Sequence, residues 1–213
     1  MTDNTLERST EYDVVEENVT FEDFLQRYLG QRVEWHAGKV VKKMSNNEKH
    51  QFILSLLHTL LSLYLMFSNK GRVYMDGYQM RLKKDDPARQ PDLLIVFNEH
   101  KDRIKEQYLD GPADLVVEIL SPATKKIDRG DKYYEYEEAG IPEYWIIDPI
   151  SKRVDVYNLD DEGNYQQVGT TDKITSTVLD GFELDAKMLW QDDLPDGAQA
   201  VQLVQKMLGL LDD

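Results

Sequence analysis

The chain has 213 residues, 41% hydrophobic and 10% aromatic, which suits one globular domain with a substantial core. It contains no cysteine, so disulfide frameworks and thiolate metal sites are excluded, and any metal must bind to oxygen or histidine. The formal net charge of −15 disfavours a nucleic-acid partner, because such proteins usually present a basic surface.

The residue pattern in the first part of the chain predicts a flexible N-terminus, a short helix and a hairpin. Residues 1–19 are mostly polar and acidic, with no apolar leader, which predicts a flexible N-terminus on a cytoplasmic protein. Thr20 followed by two acids predicts the start of a short helix that ends near Gly30. Residues 33–44 predict a hairpin that turns at Ala37-Gly38 and carries Glu34.

A long apolar helix is predicted over roughly Glu48 to Phe67, with Asn46 or Asn47 as its N-cap. Its apolar centre of 16 residues falls below the roughly 20 that cross a bilayer, which predicts a buried helix and no membrane partner. His50 lies at its polar end. Two interpretations stay open for this histidine: it faces a functional site, or it is a surface or capping residue.

The same helix predicts a homodimer. Its apolar residues cover more of the circumference than one sheet can bury, and a monomer would leave an apolar patch in water. Two-fold pairing is the commonest solution. The alternative is that a C-terminal amphipathic helix, residues 198–211, covers the second face.

The middle of the chain predicts three strands, at residues 72–83 with a bend at Gly77, at 92–97 and at 115–120. A helix from Asp128 to Gly140, a buried strand at 144–148 and an edge strand at 154–159 follow. We therefore expect an α/β fold with a mixed central sheet and flanking helices, in the order helix, three strands, helix, strand. The expected domain spans residues 20–190, and a helical tail spans 191–213.

Two carboxylates stand where the pattern calls for apolar residues. Asp92 begins a strand of five apolar residues, and Glu118 lies inside another, where a charge is costly unless it is paired or bound to a metal. Lys132 shares a face of the next helix with Asp128. Two acids and a lysine are sufficient to bind a divalent cation and activate a water. Lys125 and Lys126 are rivals of Lys132, and a plain Glu118–Lys132 ion pair is the structural alternative.

Several motifs together resemble the Uma2 family, a branch of the PD-(D/E)XK nuclease superfamily, over roughly residues 20–190. The motifs are Pro91-Asp92, DLVVEILSPAT at 114–124, DRGDK at 128–132, YxxAG at 136–140 and EYWIIDP at 143–149.

This resemblance implies a restriction-endonuclease-like core that cleaves DNA, with Mg²⁺ or Mn²⁺ held by Asp92 and Glu118. It also implies that Lys132 replaces the strand lysine, because Leu120 stands at that place. The surroundings of Glu34 and His50 match the family's N-terminal signature and give these two residues, with Asp128, supporting roles. On this interpretation, changing Lys132 abolishes cleavage and leaves Mn²⁺ affinity much less affected. The alternative function is a catalytically inactive binding or scaffold protein on the nuclease fold.

Overall fold

The computed structural model describes residues 13–28, 30–42, 47–75, 77–83, 87–122, 124–168 and 172–211. The α-helices in these ranges are α1 (Phe21–Tyr28), α2 (Glu48–Ser68), α3 (Lys125–Arg129), α4 (Asp131–Ala139) and α5 (Gly197–Met207). The strands are β1 (Val14–Glu17), β2 (Val33–His36), β3 (Lys39–Lys42), β4 (Gly71–Met75), β5 (Gln79–Arg81), β6 (Ala88–Arg89), β7 (Leu93–Phe97), β8 (Tyr108–Asp110), β9 (Leu115–Ile119), β10 (Glu143–Asp148), β11 (Arg153–Leu159), β12 (Tyr165–Val168), β13 (Lys173–Thr175) and β14 (Glu183–Asp185). Two 3₁₀ helices lie at Asn98–Arg103 and Ala186–Trp190.

The central sheet has six strands in the order β12-β11-β10-β9-β7-β4. It is mixed, because β9 and β10 run parallel while the other neighbouring pairs run antiparallel. Taken along the chain, its core is α2, then β4, β7 and β9, then α3 with α4, then β10. The α/β fold class and the predicted order of helix, three strands, helix, strand are therefore confirmed.

A second six-stranded sheet, in the order β1-β3-β2-β6-β5-β8, was not expected. The prediction of one strand over residues 72–83 is wrong, because the chain divides near Gly77, whose φ of +108° suits glycine. β4 joins the central sheet and β5 joins the second sheet. The second sheet also takes β1 from the supposedly flexible N-terminus, where β1 pairs with β3.

Two further boundaries differ from the sequence prediction. The helix predicted from Asp128 to Gly140 is broken at Gly130, whose φ of −114° and ψ of −95° lie outside the helical region, so α3 and α4 are separate. The strand β11 is not an edge strand, because β12 pairs with its outer side.

The helix α2 is the main element on one face of the central sheet. The predicted cap is confirmed at Asn47, whose side-chain oxygen accepts a hydrogen bond from the His50 amide at 2.9 Å; Asn46 lies outside the described residues. At 21 residues, α2 is long and apolar enough to cross a membrane by length and composition alone. Its inward residues, among them Leu57, Leu60 and Leu61, are instead buried in the core against β7, β9 and β10.

The second face of α2 is covered within the chain. α5 and the 3₁₀ helix Ala186–Trp190 pack against it, and Ala200, Val204 and Leu189 belong to the same core cluster. The uncovered helix face that motivated the homodimer is therefore absent from the described structure, although Met66 and Phe67 at its end stay exposed. The intra-chain alternative accounts for α2, and the tail from residue 191 packs on the domain through α5.

The packing of α5 on α2 yields a stability prediction. Val204 is fully buried, so Val204→Asp places an unpaired carboxylate between the two helices and should lower the free energy of unfolding by about 3 kcal/mol. Gln202→Asp, on the exposed side of the same helix, is the matched control and should change it by less than about 0.5 kcal/mol. Urea titration of both variants measures the difference. Equal losses of unfolding free energy in the two variants would show that α5 does not bury the second face of α2.

Candidate active site

The strand register brings the two predicted acids together. β7 and β9 are antiparallel with Leu93 opposite Val117, so Asp92, one residue before β7, lies opposite Glu118. Leu93 and Val117 point to the α2 face, so the neighbouring acids point to the other face. Asp92 is 3% exposed and Glu118 is 2% exposed. Both carboxylates are therefore held away from water, in adjacent strands.

Asp92 is fixed from two sides. His50 Nε2 lies 3.0 Å from its Oδ2, and the backbone amide of Ile119 donates to the same oxygen at 2.8 Å. His50 is itself buried, and its Nδ1 has no hydrogen-bond partner in the described structure. Of the two interpretations left open for His50, the structure places it facing the site.

Lys132 lies at the centre of the acids. Its Nζ is 2.8 Å from Glu118 Oε1, 3.0 Å from Asp128 Oδ1 and 3.5 Å from Glu34 Oε1, with the side chain 4% exposed. The Tyr136 hydroxyl donates to the same Glu118 oxygen at 3.0 Å. The structure thus brings Lys132 together with the predicted acids from a helix.

The rival lysines lie at the surface of α3, and an apolar residue occupies the strand position. Lys125 donates to Asp148 Oδ2 at 2.9 Å and its side chain is half exposed, while Lys126 is exposed. Leu120, at the place of a strand lysine, is buried in the apolar cluster that includes Tyr136. The geometry therefore favours Lys132 over either turn lysine as the partner of Glu118.

Burial and charge act in opposite directions on these groups. Burial alone would lower the pKa of Lys132, but Asp128, Glu118 and Glu34 together hold it well above its usual value. Burial raises the pKa of Asp128, Lys132 opposes that rise, and the nearby Asp92 carboxylate adds to it. Lys132 is therefore a cation at neutral pH, while the raised pKa of Asp128 means that its carboxylate takes up a proton more readily than an exposed aspartate does.

A second network, which the sequence analysis missed, connects the site to the second sheet. Arg89 in β6 is fully buried; its Nη1 donates to Glu34 at 3.0 Å, and its Nε and Nη2 donate to Glu135 at 2.7 and 2.8 Å. The Gln90 amide donates to Glu34 at 3.0 Å. Arg89 and the Gln90 amide therefore set the position of Glu34 beside Lys132. No periodicity points to Arg89, because it falls in a stretch whose residues are typical of a turn.

The region is rich in carboxylates. Lys132 contacts Glu34, Glu118 and Asp128, Arg89 contacts Glu34 and Glu135, and His50 contacts Asp92. Carboxylate oxygens that converge in a dry site suit a hard divalent cation, and Asp92 and Glu118 could hold one.

A different cluster has its ligand atoms closer together. Ligand atoms of Glu99, His100 and Asp114 all lie within 4.8 Å of one another, a spacing that could hold a metal ion. Within the described chain, no three acids of the candidate active site come this close, and Lys132 lies among three of them. Asp114 precedes β9, so this cluster lies at the opposite end of the strand from Glu118, roughly 13 Å away along the chain. The Asp114 oxygens already accept from the Phe97 amide and pair with His100, both at 2.7 Å.

Three comparisons place the chain among known proteins. A family model described as Uma2, Putative restriction endonuclease, matches residues 21–187. An uncharacterized protein of Synechocystis sp., slr1290, is 28% identical over 156 residues, which cover 68% of this chain and 76% of that protein. A crystal structure described as a putative nuclease belonging to DUF820 from Anabaena variabilis superposes with a TM-score of 0.64 at 20% identity. The superposition covers 81% of this chain and 97% of that one, and at this identity it speaks to the fold.

The Arg89 network yields a stability prediction. Arg89→Met removes a fully buried cation that pairs with both Glu34 and Glu135 and should lower the free energy of unfolding by about 3–5 kcal/mol. Arg81→Met removes an arginine from a partly exposed pair with Asp110 and should cost about 1 kcal/mol or less. Chemical denaturation at pH 7 measures both variants. If both variants lost the same free energy of unfolding, the Arg89 network would stabilise the fold no more than the partly exposed Arg81–Asp110 pair does.

Proposed function

The chain belongs to the Uma2 family of putative restriction endonucleases, and we propose that it is a metal-dependent endonuclease that hydrolyses phosphodiester bonds in DNA. The proposed cofactor is Mg²⁺ or Mn²⁺, held by Asp92 and Glu118, with Lys132 as the third catalytic residue. A cytoplasmic location is part of the same proposal.

One observation carries this proposal: the buried carboxylates of Asp92 and Glu118 lie opposite each other on adjacent strands, beside a lysine on which further carboxylates converge. Burying carboxylates together is costly, because each charge loses its hydration and the charges repel one another. The raised pKa of Asp128 reflects that cost, with burial first and the Asp92 carboxylate among its causes. A divalent cation would relieve it, which is the electrostatic reason to place a metal here.

The chain's own residues then have separate tasks. A bound divalent ion would lower the pKa of a water and neutralise a phosphate oxygen. Asp92 is held in place by His50 and the Ile119 amide, and Glu118 by the Tyr136 hydroxyl. The Lys132 ammonium, a permanent cation at neutral pH, would stabilise the negative charge that develops on the phosphate.

The net charge of −15 must be reconciled with a DNA substrate. Lys125 and Lys126 are exposed in α3, which begins a few residues beyond the end of β9 and so lies near the candidate site. Cations at this rim and a metal in the site would reverse the local sign where a phosphate must bind. The resulting affinity should fall steeply with salt.

A specific observation favours the alternative, a catalytically inactive binding protein on the same fold. Lys132 already pairs with Glu118 at 2.8 Å and Asp128 at 3.0 Å, which is what a purely structural ion pair would look like. Such a protein would keep the fold and the pair but would not take up Mn²⁺ at these acids. Metal binding therefore separates the two functions.

The proposal predicts where Mn²⁺ binds. Calorimetric titration should show affinity lowered by at least about tenfold in Asp92→Asn and in Glu118→Gln, because each removes an anionic oxygen ligand. Asp114→Asn is the matched control: it changes a buried carboxylate at the opposite end of the same strand and should leave this affinity unchanged. The same two site variants should lose Mn²⁺-dependent nicking of supercoiled plasmid DNA.

The Asp114→Asn control also shows where the metal binds if its assignment to Asp92 and Glu118 is wrong. Loss of Mn²⁺ binding in Asp114→Asn alone would move the metal to the Glu99, His100 and Asp114 cluster. Equal binding in all four proteins would remove the metal from both places. Metal binding without cleavage of DNA would contradict the nuclease and leave a metal-binding protein.

A further inference from the structure

We infer that Lys132 is the resident cation of the site and that a divalent metal binds there by displacing it from Glu118. The inference rests on the proposed function, since it concerns the same metal site, and it assigns Lys132 a role in metal affinity. The family resemblance implies that changing Lys132 affects Mn²⁺ affinity much less than cleavage, whereas the geometry leads us to expect a clear rise in Mn²⁺ affinity.

The first argument is position. The Lys132 ammonium lies within 3.5 Å of oxygens from three carboxylates on three separate elements: Glu34 in β2, Glu118 in β9 and Asp128 in α3. Converging oxygens from separate elements are the surroundings that a hard cation takes. The lysine ammonium therefore lies at the point where these oxygens converge, which is where a bound cation would lie.

The second argument is competition for one ligand. Glu118 Oε1 is bound by the Lys132 ammonium at 2.8 Å and the Tyr136 hydroxyl at 3.0 Å. Glu118 is also one of the two acids proposed to hold the metal. Two cations at one carboxylate repel each other strongly in a site with little water, so the metal and the Glu118–Lys132 bond disfavour each other.

The third argument is that the lysine has a place to go. Asp128 is four residues before Lys132, across the break at Gly130, and lies 3.0 Å from its ammonium. Glu34 is held near it by Arg89 and the Gln90 amide. Released from Glu118, the ammonium keeps these two partners and stays a buried, paired charge. Metal binding would thus shift Lys132 from Glu118 toward Asp128 and Glu34 without exposing it to water.

The test measures Mn²⁺ affinity, by the free-Mn²⁺ electron paramagnetic resonance signal, in the wild type and in Lys132→Met. Methionine is close in length and carries no charge, so affinity should rise by at least about tenfold when the competing cation is gone. Lys126→Met, which removes an exposed lysine from α3, is the control and should change affinity less than about twofold. Equal or weaker binding in Lys132→Met would overturn the inference.

Stability gives a second readout, because Lys132→Met removes the cation that contacts three buried carboxylates and so lowers the melting temperature. Saturating Mn²⁺ should raise the melting temperature of Lys132→Met by more than it raises that of the wild type, since tighter binding to the folded state stabilises it more. A Lys132→Met protein that stays unfolded at saturating Mn²⁺ would also contradict the inference, because the metal would then fail to replace the lysine's charge.

The two proposals fail in distinguishable ways. If Glu118→Gln loses Mn²⁺ binding while Lys132→Met and the wild type bind Mn²⁺ equally, the proposed metal site is supported. The inference that Lys132 competes with the metal is then contradicted. If neither the wild type nor Lys132→Met binds Mn²⁺, the metal site and the competition fall together.

Discussion

Charge buried in a region that excludes water is the constraint on which this site depends. Lys132 and Arg89, both buried, contact Glu34, Glu118, Asp128 and Glu135, and each connects acids from different elements. Removing one member of such a buried network weakens the compensation of the charges that remain, which costs more than losing a surface pair. The network therefore specifies how the second sheet, the central sheet and α4 are arranged around Glu118.

The topology delivers these groups to one place. The antiparallel pairing of β7 with β9 puts the start of one strand beside the end of the other, so Asp92 and Glu118 lie opposite each other although 26 positions separate them. The second sheet then contributes Glu34 from β2 and Arg89 from β6, while α4 contributes Lys132 and Glu135 one turn apart. The family model matches residues 21–187, which include all of these elements, and the geometry explains what their order achieves.

The parts of the site that the sequence could predict are those that violate a local pattern. Asp92 and Glu118 stand out because their neighbours are apolar, and Lys132 stands out because Asp128 shares its helical face. Arg89 and Glu135 could not be found this way. Arg89 lies in a two-residue strand within a polar turn, and Glu135 looks like any charged residue on a helix; their importance comes only from tertiary contact. The division of residues 72–83 between two sheets failed for a related reason, because the pattern does not say which sheet a strand joins.

The position of the lysine on a helix, not on the strand, has a consequence for the fold and for the chemistry. Leu120 stands at the strand position that a lysine could have taken. It packs instead in the apolar cluster with Tyr136 and stabilises the core beside the site. The ammonium then arrives on a long stem from α4, and α4 is itself held to the second sheet through the Glu135–Arg89 pair. A stem of this length can move its charge by a few ångströms through rotamer changes while the helix stays in place. A strand lysine two residues from Glu118 would share its face and be restrained by the sheet. Placing the lysine on a helix thus separates the rigid acids from a movable cation.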